Sequence, residues 1–213
     1  MIVSIISPIG GGKTSIIKKL QSWKFPVRFE PFKDNVVLPF FLKSKEDINR
    51  LGFACQVDFL TLREIDMDSL QIELLQAGKS IGFLDSGFTA DECFARMLWD
   101  KWHEAERKVY MKISKRWRMK SNLIPDIAIY LDHSPEECLK RIKQRIKEDP
   151  TRSGESIYDL EYLQRLQASY YDRMETLGRK VVRLGGKHGY ELFDTPEDNA
   201  ELILKLIGGM KHG

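Results

Sequence analysis

The stretch that decides the fold is residues 7–15, SPIGGGKTS, which follows directly on the apolar run MIVSII. Its second half, Gly12-Lys13-Thr14, fits the end of the phosphate-binding pattern G-x-x-x-x-G-K-S/T, and counting back from Gly12 puts Ser7 where the first glycine belongs. Such a loop needs small residues so that successive backbone N–H groups can point at a phosphate. Gly10, Gly11 and Gly12 supply them, Ile9 and Ser15 complete the nucleotide-contacting stretch, and the N-terminus of a following helix adds its dipole. The pattern puts Lys13 on the β- and γ-phosphates of a nucleotide and the Thr14 hydroxyl on Mg²⁺. Ser7 is a small replacement that carries a Cβ, and it is tolerable where its φ is negative.

Working outward, residues 1–7 are continuously apolar and β-branched, as a central strand buried on both faces would be. Residues 14–23 carry Ile16, Ile17 and Leu20 at helical spacing, and FPVRFEP (25–31) is a second strand. Residues 45–76 have apolar positions three and four apart and no proline, which predicts one or two long helices. SIGFLD (80–85) is a buried strand ending in an acid, and 91–115 is predicted as helix with Phe94, Met97, Leu98 and Trp102 on one stripe. PDIAIYL (125–131) is the clearest strand. The helix after it has Ser134 as N-cap, Pro135 in the first helical position and acids in the first turn. Residues 148–156 are loop by composition, 159–177 helix, 181–184 a last strand and 195–207 a final helix, with 208–213 expected as a disordered tail. The alternation predicts one α/β domain over residues 1–213, its parallel sheet covered by helices on both faces. In such folds ligands sit at the carboxyl ends of the strands, the edge that holds both the glycines and Asp85.

Bulk composition narrows the function classes. Apolar residues are 42% and charged residues 31%, and the net charge is +3 from 34 basic and 31 acidic residues, so no nucleic-acid polymer is implied as a partner. Two segments are locally cationic, KISKRWRMK (112–120) and LKRIKQRIK (139–147), and either would suit a phosphate-rich ligand or form a solvated helix face. Cys55, Cys93 and Cys138 are sparse and in no metal-ligand spacing, which fits buried thiols in a reducing compartment. The histidines at 103, 133, 188 and 212 form no cluster and are assigned no chemistry. The chain start is too short for a signal-peptide core and no run reaches the ~20 apolar residues of a membrane span. The expectation is a cytoplasmic protein without a membrane partner.

Beyond the loop, FEPF (29–32), FACQVDFLTLRE (53–64), FLDSGFTADECFA (83–95), PDIAIYLDHSPEECLKRIKQR (125–145) and YDLEYLQRLQASYYDRM (158–174) follow in order. Together with the loop these resemble the deoxynucleoside kinase family over residues 1 to 175. The resemblance implies a P-loop kinase fold with a five-stranded parallel sheet and a lid at 141–156. It also implies ATP and Mg²⁺ as cofactors, a small nucleoside as substrate, and a homodimer through long helices. By the same resemblance Glu30 takes the proton from the nucleoside 5′-hydroxyl, a role physically suited to a carboxylate beside a γ-phosphate. Gln56 matches the glutamine that bonds a base edge in two places, which an amide does by both donating and accepting. Phe59 is expected to narrow the pocket. Arg63 and Asp91 match the pair that supports amino- or keto-bearing bases, favouring a purine nucleoside or deoxycytidine. Arg141 and Arg145 match lid cations that stabilise the transferring phosphoryl group, Lys147 a lid contact to the nucleotide, and Asp85 the acid that joins Thr14 at the metal.

Two positions depart from the family. Asp85-Ser86-Gly87 stands where Asp/Glu-Arg-Ser is expected, and Arg28 or Arg96 could stand in for the missing arginine. Phe41 replaces a tyrosine expected on the sugar 3′-hydroxyl, and a phenyl ring packs but cannot hydrogen-bond. A thymidylate-type monophosphate kinase and a catalytically reduced nucleotide-binding relative are the alternatives. The tryptophans of 91–118 suit either a dimer surface or the core.

Overall fold

A computed structural model describes residues 1–210 of the chain. Five parallel strands form one sheet in the order β2-β3-β1-β4-β5. They are β1 (Ile2–Ile6), β2 (Val27–Arg28), β3 (Gly82–Asp85), β4 (Ile127–Asp132) and β5 (Lys180–Gly185). Every residue of β1, β3 and β4 is buried, because each of these strands has helices on both faces. Side chains alternate between the faces: Val3, Ile5, Phe83, Ile129 and Val182 pack under α1 (Lys13–Ser22) and α8 (Pro196–Met210). Ile2, Ile6, Leu84, Ala128 and Tyr130 face the other layer. That layer contains α3 (Lys45–Gln76), α4 (Phe88–Met97), α5 (Glu104–Met119), α6 (Pro135–Glu148) and α7 (Leu160–Asp172), with the four-residue α2 (Leu38–Phe41) at its edge. The predicted α/β class with a five-stranded parallel sheet is the observed one.

Several boundaries differ, each for a local reason. β2 keeps only two residues of the expected 25–31, because Pro26 and Pro31 have no N–H to give a ladder. Residues 45–76 are one unbroken helix, started by Ser44, whose hydroxyl accepts from the Asp47 N–H at 3.0 Å. The helix predicted over 91–115 is two. The chain leaves α4 after Met97, makes a 3-10 turn at Trp99–Lys101, and restarts where the Glu106 carboxylate accepts from the His103 N–H at 2.8 Å. Trp102 and Trp117 are buried and Trp99 packs tilted on Trp102, so these rings belong to the core. The 148–156 loop is a 3-10 helix, Pro150–Ile157, opened by Asp149 accepting from the Thr151 N–H. α8 continues through Gly208 and Gly209, and residues 211–213 of the expected tail lie outside the described residues. Among the described residues no helix is long and apolar enough to cross a membrane.

Candidate active site

The carboxyl end of β1 turns into residues 7–12 and then α1. Gly10 and Gly12 hold φ of 85° and 83°, in the left-handed region where a Cβ is strained. Ser7 has a negative φ, since Lys24 is the one non-glycine residue with positive φ among the described residues. Its hydroxyl is buried and donates to the Pro8 carbonyl at 2.8 Å, filling space beside Gly11, where an added Cβ would lie 2.3 Å from Ser7 Oγ. The serine in place of the expected glycine is therefore accommodated by Gly11. Gly10 lies against α6, where an added Cβ would meet the Cys138 carbonyl at 2.5 Å. Lys13 heads α1 and its ammonium is 3.4 Å from the Ser7 carbonyl.

Thr14 Oγ1 donates to Asp85 Oδ2 at 2.6 Å, tying α1 to the end of β3. Asp85 Oδ1 is buried without a hydrogen-bond partner. A buried carboxylate oxygen left open beside a hydroxyl is a hard-oxygen donor set, and it fits a divalent ion such as Mg²⁺.

Past β2, Glu30 faces the same space, its side chain one-third exposed. Burial among its neighbours raises the Glu30 carboxyl above its usual value, and Lys13 and Arg63 offset only part of the rise. Arg63, buried on α3, organises four groups. Its Nε donates to Asp91 Oδ2 at 3.0 Å and its Nη1 to the Asp85 carbonyl at 2.9 Å, while its Nη2 reaches Ser86 Oγ at 3.2 Å and Glu30 Oε1 at 3.5 Å. The guanidinium thus lies behind the cavity wall, where it holds Glu30 and Asp91, and does not line the cavity as expected from the resemblance. Neither candidate substitute for the missing arginine is present there. Arg28 pairs with Glu73 at 2.5 Å, and Arg96 stacks on Trp99 at 4.5 Å. Arg63 is the cation beside Glu30 and Ser86.

A cavity of about 260 Å³ joins these parts. Ile9, Gly10, Gly12, Lys13, Thr14 and Ser15 line its phosphate end, with Glu30 in the wall beyond them. Gln56, Phe59, Phe41 and Asp91 line the far end, and Gln56 Oε1 is buried with no partner. Ser7, Gly11 and Asp85 support the lining from behind. From the lid, Arg141 and Arg145 reach the cavity, but Lys147 is exposed and does not, because it sits off the face that positions 141 and 145 share. Arg152, further along the same segment, does line the cavity. It and Arg145 both bind Glu155, a carboxylate only 3% exposed, Arg152 at 2.9 Å. The sequence reading missed Arg152, Glu155 and Tyr158 in the cavity wall. The segment that carries them has a turn-like composition, and the only hint there was a lone Arg and Glu three residues apart.

A phosphate loop, a threonine–aspartate pair, a carboxylate with raised pKa and an unpartnered amide oxygen around one cavity are the parts of a phosphoryl-transfer site for a small polar acceptor. The family model described as deoxynucleoside kinase matches residues 3–204. Among curated relatives, a deoxyadenosine kinase of Dictyostelium discoideum is 31% identical over 206 residues, 94% of this chain and 77% of that protein. Among solved structures, deoxyadenosine kinase from M. mycoides with bound dCTP superposes with a TM-score of 0.72 at 19% identity, covering 98% of this chain and all of that one. The same enzyme with bound dATP gives 0.71 at 21% identity over 98% of this chain and all of that one. With the order of the motifs, the strand order of the sheet and the family match agreeing over nearly the whole length, the chain is a phosphotransferase that belongs to the deoxynucleoside kinase family.

Proposed function

We propose that this deoxynucleoside kinase uses Mg-ATP as donor and prefers a deoxynucleoside with an amino-bearing base, deoxyadenosine first. The observation that carries the reading is one cavity with Lys13 and Thr14 at one end, Glu30 in its wall and the buried, unpartnered Gln56 Oε1 at the other. Gln56 offers a donor and an acceptor side by side, as the edge of adenine or cytosine requires. Asp91, pinned as an acceptor by Arg63, favours an exocyclic amine over a carbonyl. The deoxyadenosine kinase relative supports the same preference.

Glu30 accepts the 5′-hydroxyl proton as that oxygen attacks the γ-phosphorus, and the burial that raises its pKa makes its carboxylate a stronger base than a free glutamate. Lys13 and the loop N–H groups hold the phosphates in line, and Arg141 and Arg145 balance the charge that moves to the leaving oxygen. Thr14 and Asp85 would hold Mg²⁺, which when bound neutralises phosphate charge. Exposed Ile65, Ile72 and Leu75 on α3 and Val109 and Met119 on α5 support pairing of two chains through these helices.

The test is a transfer assay with Mg-ATP against the four deoxynucleosides and their 5′-monophosphates, reading ADP and product, with and without EDTA. Transfer to deoxyadenosine ahead of thymidine, abolished by EDTA, is expected. Transfer only to monophosphates would overturn the acceptor, and undiminished transfer in EDTA the metal. Light scattering on the eluting protein checks the dimer.

A further inference from the structure

His133, given no chemistry from the sequence, lies at the carboxyl end of β4, one residue before the N-cap of α6. Its Nε2 is 3.0 Å from Arg141 Nη1. Arginine has donors only, so Nε2 must accept, and a neutral ring then carries its proton on Nδ1. The other side of the guanidinium is held as well, Arg141 Nε donating to Glu137 Oε1 at 3.0 Å. The backbone that carries the imidazole is anchored as well, the His133 carbonyl accepting from Gln167 Nε2 of α7 at 3.0 Å, and Gln167 also donates to the neighbouring Asp132 at 3.2 Å. So held, Arg141 Nη1 is the nearest atom to the outward side of Gly12, 3.7 Å from where a Cβ would stand there.

We propose that His133 is a positioning residue that aims the Arg141 guanidinium at the phosphate loop, so that the lid cation is in place before the nucleotide arrives. The inference rests on the kinase reading of the cavity. An arginine on a helix face has many rotamers, and fixing one with two acceptors removes most of the ordering entropy that closure would otherwise have to overcome. A neutral acceptor suits this better than a second carboxylate, which would bury the cation's charge in an ion pair and compete with phosphate. Groups around the ring agree: Arg141 and Glu137 face it from α6 and Asp132 from β4, and burial with the Arg141 charge pushes the imidazole down to about 4, so that it stays neutral over the working range.

The experiment compares the unchanged enzyme with His133→Ala, His133→Gln, Arg141→Ala and the double variant His133→Ala/Arg141→Ala, with thermal melting to show that each folds. His133→Ala is expected to lower kcat about tenfold to a hundredfold, with deoxynucleoside KM changed less than twofold. His133→Gln, whose amide oxygen can accept, is expected to recover much of that loss. In the Arg141→Ala background, removing His133 should have no further effect, since it acts through that arginine. Independently of turnover, the ¹⁵N imidazole spectrum of the free enzyme should show an unprotonated Nε2 for His133 that shifts in Arg141→Ala. Equal kcat in His133→Ala and the unchanged enzyme, additive losses in the double variant, or a protonated Nε2 at neutral pH would each overturn the proposal alone. Silence of the unchanged enzyme toward every nucleoside would overturn the kinase reading, and this inference with it.

Discussion

Among the described residues Lys13 makes no ion pair and its ammonium hydrogen-bonds only the Ser7 carbonyl, so its charge is left for a ligand. Lys13→Ala is expected to reduce transfer by at least a hundredfold with melting unchanged within a few degrees, since no packing is lost. Calorimetry alongside the transfer assay checks both halves. Glu30 shows the opposite balance between stability and use. Its carboxyl is raised by burial, so the ionised form is less comfortable folded than unfolded, and stability falls as pH rises above the ordinary glutamate value of 4.5 and through the raised one. Glu30→Gln is therefore expected to lower kcat by ~10²-fold or more with little change in nucleoside KM, while melting at pH 7 no lower than the unchanged protein. The same raised carboxyl predicts an acid limb in the kcat–pH profile above 4.5, activity falling as Glu30 takes up a proton. A Glu30→Gln variant that keeps that limb would assign it to another group.

At the scale of the element, the phosphate loop is a mutual fit between one residue with a Cβ and one without. Gly11→Ala puts a methyl 2.3 Å from Ser7 Oγ and 2.6 Å from Ser7 Cβ, at a position whose own φ is unstrained. Overpacking of this kind costs about 1–3 kcal/mol and here would also displace N–H groups from the phosphates. Adding Ser7→Gly removes both clashing atoms, so the double variant should regain most of the nucleotide affinity that Gly11→Ala loses, measured by fluorescent-nucleotide titration. No recovery would mean that the Pro8 carbonyl, 3.1 Å away, decides the fit. Gly10 differs: its positive φ and the backbone carbonyl of Cys138 leave no side-chain change that could rescue Gly10→Ala.

Across the whole molecule, the helical layer opposite α1 and α8 is tied together by Glu92, next in sequence to Asp91. The Glu92 carboxylate, 4% exposed, accepts from Ser114 and Arg118 of α5 and from Arg173 beyond α7, the last at 3.0 Å. Removing the acid leaves two arginines facing each other in a poor solvent environment. Glu92→Ala is expected to destabilise the fold by about 2–3 kcal/mol, below the fully buried range because both arginines keep some water contact. Chemical denaturation measures this, and a loss under 0.5 kcal/mol would show the cluster to be only a surface network. Because α4 also bears Asp91, loosening it is expected to raise nucleoside KM too.

Sequence and tertiary structure divide the determination by range. The chain's own residues determined the strand–helix alternation, the phosphate loop, the Ser134–Pro135 start of α6 and the acid that ends β3, because each is written in local periodicity, caps or small-residue spacing, whereas Glu30 stood out only through the resemblance. Five motifs in order carried the family as well. What only the fold decided lies where residues distant in the chain compete for one space. Arg63 was expected at the base, but 22 and 28 residues further on the Asp85 carbonyl and Asp91 draw it behind the wall. Lys147 was read into the lid and Arg152 left out, since which basic residue faces the cavity depends on how the turn at Pro150–Ile157 is pinned by buried Glu155. His133 had no meaning until α6 and β4 set its ring against Arg141. Charge type and helical spacing are local properties that a sequence carries openly; the partner of a charge is set by the folded path of the whole chain.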